Sequence, residues 1–230
     1  EAAASIGQTH KIMLKNNKSA IMKVKRPGID KKISVDVEIM ENMARLAEER
    51  DLFNSVISPI EIIQEFKRTI KEELNFKGEM ANIIRFRSDF NDNPYITAPE
   101  VYSELSTVNV LIMEEIKGKK LREVDQSHPH NKFIAELGAK ALMRQVLING
   151  FFHADPHPGN IFITGEKTIA YVDFGMVGRI TEEDRDLMAL LFYALINKKI
   201  NVLMDVILIL GSKPEDFNRR RFQIDMEKIL

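Results

Sequence analysis

The sequence predicts an α+β fold of two lobes: a small β-sheet lobe with inserted helices over residues 1–116, then a mostly helical lobe over 117–230. Three observations lead there. In the first half, short runs rich in β-branched and apolar residues flank long helical periodicities. A charged, turn-prone stretch over 117–129, with Gly118 and Ser127-His128-Pro129, interrupts that pattern. Beyond it the apolar residues recur mainly at helical spacing.

Taken in order, residues 10–14 and 19–25 read as a β-hairpin around the turn-forming pair Asn16-Asn17, closed by Arg26-Pro27-Gly28. Val37, Ile39, Met40, Met43, Leu46 and Ala47 then give residues 34–51 an amphipathic helical period. Ser58, followed by Pro59 and Glu61, starts a second helix, with the serine as cap and the glutamate reaching back; this helix is expected to run to Phe76 or beyond. Residues 95–102 and 108–116 read as strands of the same sheet as the first hairpin. Residues 133–148 are apolar almost all round, as in a buried helix. A second small hairpin, 161–164 and 168–172, turns at Gly165-Glu166-Lys167 and delivers Asp173. Thr181 caps a third long helix ending near Asn197, and more helix follows.

Composition narrows the class. With 230 residues, 44% hydrophobic and 29% charged, the chain can bury a sizeable core. A net charge of -1 gives no global reason to expect a nucleic-acid partner. The absence of cysteine excludes disulfides, zinc-thiolate sites and a thiol nucleophile. No apolar run approaches the roughly 18 residues of a spanning helix, because Asp205 interrupts the longest candidate. The start at Glu1, without a leader, and the stop inside a helical stretch lead us to expect a piece of a longer protein.

The chemistry concentrates in His153-Ala154-Asp155-Pro156-His157-Pro158-Gly159-Asn160 and in Asp173-Phe174-Gly175. Asp-x-x-x-x-Asn followed by Asp-Phe-Gly is the spacing of a kinase catalytic loop, in which the first aspartate lies near the attacking group and the other two residues meet magnesium. Such a site needs a cation for the nucleotide phosphates, and Lys23 in Ala20-Ile21-Met22-Lys23 occupies the matching strand, although Lys25 shares its face. The lysine needs an orienting carboxylate. Glu65, Glu72, Glu73 and Glu79 are available and Glu73 is favoured, while the plain alternative makes them surface partners of Lys67, Lys71 and Lys77. Ala2, Ala3, Ala4 and Ser5 stand where a glycine-rich phosphate loop is expected, and alanine restricts φ there. His-x-Asp-x-His also admits a metal-dependent hydrolase, but Pro156 and Pro158 stiffen the segment and the Asp155–Asn160–Asp173 spacing is then unexplained; the kinase reading leaves His153 and His157 as scaffolding.

Together, AAASIGQTH, IMKVKRPG, KEELNFKGEMAN, VLIMEEIKGKKL, GFFHADPHPGNIF and VDFGMVGRI resemble, in order and over nearly the whole chain, the UbiB-type atypical kinases, also called the aarF-domain or ADCK family. The resemblance implies a protein-kinase-like fold that binds ATP with Mg2+ and serves ubiquinone or other isoprenoid-quinone and lipid metabolism at membranes, with quinone-biosynthesis proteins as possible partners. It implies that Lys23 binds phosphate, that Glu73 is its partner, that Asp155 is catalytic, that Asn160 and Asp173 hold Mg2+, that Ala2 to Ser5 form the alanine-rich loop, and that Met113 and Glu114 form the hinge at the adenine. Asn75 departs from the aspartate many members carry. The family's upstream Lys-x-Gly-Gln helix and any membrane anchor are expected in parts of the protein outside this sequence. The chain passes from Gly175 to the helix at Thr181 without an activation segment or Ala-Pro-Glu anchor, so the expected acceptor is water or a small or lipid-like molecule and not a protein. The other expectation is a non-catalytic, nucleotide-gated scaffold of a quinone-synthesis complex.

Overall fold

The computed structural model describes residues 2–3, 6–50, 58–125, 127–211 and 217–229. By contact it divides into two compact units, Glu1–Ala135 with Ala154–Val177, and Glu136–His153 with Gly178–Leu230.

The first unit opens with a four-stranded antiparallel sheet. Strands β1 (Ala2–Ala3), β2 (Gly7–Met13) and β3 (Ser19–Lys25) follow one another, and the fifth strand of the chain, Val110–Glu114, pairs along β3. The hairpin turns where expected. Asn17 adopts φ 61, a left-handed conformation that asparagine tolerates, and Asn16 accepts the Lys18 N–H at 3.1 Å. The expected phosphate loop begins instead as β1, with Ala2 opposite Thr9 and Ala3 opposite Gln8; Ala4 and Ser5 lie outside the described residues.

Helix α1 (Ile29–Glu49) starts at Gly28, which caps it at φ 74, and α2 (Pro59–Glu73) is capped by Ser58 as the sequence predicts, its hydroxyl accepting the N–H groups of Ile60 and Glu61. The second helix does not run past Phe76. It ends at Leu74, and Asn75, in an extended conformation, caps a separate helix α3 (Phe76–Asp89) by accepting the Lys77 N–H. The short polar side chain competes with the backbone for that donor, so a cap is favoured over a continuous helix.

The expected strand at 95–102 shrinks to β4 (Ile96–Thr97), which joins a different sheet, parallel to β9 (Thr168–Tyr171); only an isolated bridge from Val101 to Met113 reaches β5 (Val110–Glu114). Pro94 and Pro99, which bring no N–H to a ladder, bound so short a strand. Strands β6 (Lys119–Lys120) and β8 (Ile161–Thr164) complete that second sheet, in the order β4-β9-β8-β6, and the predicted β8–β9 hairpin is present. Phe86, Phe90, Tyr171 and Phe174 form the unit's aromatic core, with Phe86 and Phe174 both fully buried.

The second unit takes the end of helix α4 (Asn131–Met143), then a π-helical segment, Arg144–Asn149, and the two-stranded pairing of β7 (Phe151–His153) with β10 (Val177–Arg179). The expected buried helix over 133–148 is therefore broken. Within the π turn polar Gln145 is turned inward at 1% exposure while Ile148 is exposed, and Leu142 and Met143 at the end of α4 are exposed as well. Gly150 ends it at φ 57, where a Cβ would meet the Ile180 carbonyl oxygen at 2.8 Å. Helices α5 (Glu182–Ile196), capped by Thr181, α6 (Ile200–Leu210) and α7 (Arg219–Ile229) follow. Among the described residues no helix is long and apolar enough to cross a membrane.

Candidate active site

All the charged residues of the site belong to the first unit. Lys23 lies on β3, opposite Thr9 on one side and Leu111 on the other. Its Nζ donates to Glu79 Oε1 at 2.6 Å and to Asp173 Oδ1 at 3.0 Å. The neighbouring Lys25 pairs with Asp30 at 3.1 Å, which separates two lysines the sequence left on one face.

The lysine's carboxylate partner is thus Glu79, where the sequence reading favoured Glu73. The break at Asn75 is the reason. It restarts the helix, so that Glu79, Asn82, Ile83 and Phe86 form the buried face of α3. Glu73, in the last turn of α2, still lines the same small cavity of about 150 Å³ with residues 6–9, Lys23, Phe76, Glu79, Asp173 and Gly175.

Asp173 follows strand β9 and takes a left-handed φ of 64, with its side chain half exposed at 51%. Phe174 is fixed on three sides. Its ring is buried against Phe86 at 4.9 Å, its N–H donates to Glu79 Oε1 at 3.2 Å, and its carbonyl accepts from Asn82 Nδ2 at 3.1 Å. One Glu79 oxygen therefore joins the lysine strand to the Asp-Phe-Gly turn.

The electrostatics follow from this crowding. Burial pulls the Lys23 ammonium down, but the charges of Glu79 and then Asp173 outweigh it and its pKa ends above the ordinary lysine value. Burial first, and the charge of Asp173, push Glu79 above the ordinary carboxylate range against the pull of Lys23. Glu73 is raised by burial and then by Asp173 and Glu79.

On the loop over residues 154–160, Asn160 Nδ2 donates to Asp155 Oδ2 at 3.0 Å, and its backbone N–H donates to the His157 carbonyl at 2.7 Å. With Nδ2 committed to Asp155, Oδ1 is the Asn160 atom suited to a hard cation, as is the exposed Asp173 carboxylate. His157 Nδ1 accepts the Gly159 N–H at 3.0 Å and shapes the loop. His153 is buried at 2% exposure, its N–H held by Gln145 Oε1 at 3.0 Å. Among the described residues no three His, Asp or Glu side chains converge as a group that could hold a metal ion.

Met113 and Glu114 lie apart from the lysine cavity. They pair along β3 with Ile21 and Ala20, Met113 is buried, and the Glu114 N–H is bonded to the Glu100 carbonyl at 2.8 Å. Sequence reasoning missed Asn82 altogether. The signal was its place three residues after Glu79, on the same helical face as Ile83 and Phe86.

The family profile described as the ABC1 atypical kinase-like domain matches residues 1–207. The probable protein kinase UbiB of Cellvibrio japonicus is 37% identical over 195 residues, which cover 82% of this chain and only 35% of that protein's length. Among solved structures, the Rv3197–erythromycin complex from Mycobacterium tuberculosis matches with a TM-score of 0.71 at 22% identity, over 99% of this chain and 58% of the other; at that identity the likeness is one of fold. The Rio2 kinase–ADP/Mg2+–phosphoaspartate complex from Chaetomium thermophilum matches at a TM-score of 0.46 and 12% identity, over 100% of this chain and 60% of the other.

Proposed function

Since the chain belongs to the ABC1 atypical kinase-like domain family, we propose that it binds Mg2+-ATP and either hydrolyses it or transfers its terminal phosphoryl group to a small or lipid-like acceptor. The division into lobes near Ile116, with the hinge at Met113 and Glu114, is part of this reading. The observation that carries it is the single cluster in which Lys23, Glu79 and Asp173 meet within 3.0 Å.

Asn160 Oδ1 and the Asp173 carboxylate would hold Mg2+, which when bound neutralises phosphate charge and orients the terminal phosphate. Lys23, kept protonated by its carboxylate neighbours, would pair with the nonterminal phosphates. Asp155, held by Asn160, would accept the proton of water or of an acceptor hydroxyl as that oxygen bonds to the γ-phosphorus and the bond to ADP breaks. Only residues 176–181 separate Gly175 from α5, a shorter connection than the activation segment on which a protein kinase seats a peptide, and this supports the small acceptor. The UbiB name of the relative supports a role in ubiquinone or related isoprenoid-quinone metabolism, at a membrane surface reached through other parts of the protein.

One observation favours a nucleotide-gated scaffold as the second reading. The cavity at Lys23 is about 150 Å³, below the roughly 300 Å³ at which ligand-sized pockets begin. In this second reading a bound nucleotide would displace part of the cavity wall, and a partner would sense that displacement. ATPase assays of the wild type and Asp173→Asn separate the two: Mg2+-dependent turnover abolished by the substitution supports an enzyme, whereas tight ATP binding without turnover supports the scaffold.

A further inference from the structure

Glu79, Asn82, Ile83 and Phe86 share the buried face of α3, and Asn82 is the one neutral polar side chain among them, 9% exposed. Burying an amide is unfavourable unless it is hydrogen-bonded. The Asn82 Nδ2 spends a donor on the Phe174 carbonyl at 3.1 Å, on the same residue whose N–H donates to Glu79. The two bonds grip the peptide units on either side of the Phe174 Cα from one helix.

Those peptides follow the residue that needs support. Asp173 holds φ 64, a conformation uncommon for a non-glycine residue, which its surroundings help to fix. The Phe174 ring anchors one side in the aromatic core, but a ring can rotate with its backbone. The carbonyl bond to Asn82 sets the orientation of the Phe174–Gly175 peptide and, with the Glu79 bond, the direction in which the Asp173 carboxylate leaves the chain.

We propose that Asn82 is a positioning residue that sets divalent-cation affinity by aiming Asp173. This rests on the Mg2+-ATP reading of the site. In this role Asn82 acts through the Phe174 peptide.

The test uses Asn82→Leu, which keeps the bulk and removes the donor, Asn82→Asp, which sets an oxygen against the Phe174 carbonyl, and Asn82→Gln, which retains a donor. ATP binding is titrated calorimetrically against MgCl2 and in EDTA, and amide hydrogen exchange is followed over residues 172–177. The Leu and Asp variants are expected to raise the apparent Mg2+ constant by about 10-fold or more, as losses behind a metal ligand do. Metal-free ATP binding should stay within about twofold by the same logic, exchange at 172–177 should quicken, and the Gln variant should recover part of the Mg2+ affinity. Should Asn82→Leu fail to fold, the Asp and Gln variants carry the same comparison. An unchanged Mg2+ constant in both the Leu and Asp variants, or an equal loss of ATP binding in EDTA, overturns the role of Asn82 alone. A wild type that binds ATP no better with Mg2+ overturns the reading of the site and this inference with it.

Discussion

Replacing Lys23 by methionine should destabilise the chain by about 3–5 kcal/mol at neutral pH, the range for breaking a buried ion pair from one side. The figure follows from burial: the Lys23 and Glu79 side chains are 14% and 5% exposed, so removing the cation strands a carboxylate away from water. Asp173, at 51% exposure, is screened, and its contact adds about 1 kcal/mol at most. Glu79→Leu should cost a similar amount, and the double substitution should regain at least about 2 kcal/mol relative to the sum, because no buried charge is left alone. The pH dependence has a definite sign. Without Lys23, Glu79 loses the main influence holding its pKa down, so the folded state binds a proton more tightly than the unfolded chain. The penalty therefore grows as pH rises above the ordinary carboxylate range and fades below it. In the wild type, the Lys23 contribution is complete below the ordinary lysine value and is lost as pH climbs through the raised one. Urea unfolding followed by circular dichroism at pH 5, at pH 7 and at a pH above the ordinary lysine value measures all of this. The reasoning fails if Lys23→Met lies within about 0.5 kcal/mol of wild type, the range of an ordinary surface change, or if Glu73→Leu compensates it and Glu79→Leu does not.

Three other substitutions probe separate links. Phe174→Ala should cost about 3–5 kcal/mol in urea unfolding, since the ring is fully buried against Phe86. Asn75→Ala removes the cap of α3 and should cost about 1 kcal/mol; because Glu79 sits in the first turn of that helix, ATP turnover should fall as well. Glu73→Gln removes a carboxylate whose pKa is raised by burial and by Asp173 and Glu79. As an acid raised in the folded state, it loses stability as pH rises from the ordinary carboxylate value through its folded one. Stability measured from pH 4 to pH 8 should thus be higher at neutral pH and flatter in the variant.

Which parts of the molecule the sequence disclosed has a physical pattern. Local signals were legible: the Asn16-Asn17 turn, the Ser58 and Thr181 caps and the β8–β9 hairpin are each set by residues close together in the chain. What was lost depended on competition between neighbours or on distant pairing. Asn75 reads equally well as a helical residue and as a cap, and that one ambiguity moved the lysine's partner from Glu73 to Glu79. The assignment of β4 to the second sheet depends on a strand more than seventy residues away, which no local period encodes. The π turn at Arg144–Asn149 left no periodic trace, because one inserted residue only shifts which side chain faces inward. Asn82 was hidden for a simpler reason: a lone amide in a helix carries no motif, and only the Phe174 carbonyl opposite it gives it meaning.

The account rests on Asp173 and Asn160 forming one Mg2+-nucleotide site with Lys23, and calorimetric titration of ATP into wild type and Asp173→Asn, with Mg2+ and with EDTA, tests this most directly. Asparagine tolerates the left-handed φ of 64, so the substitution removes charge without straining the turn. The account predicts Mg2+-dependent ATP binding that the variant weakens by an order of magnitude or more. Binding that is equal in EDTA, or unchanged in Asp173→Asn, would contradict it.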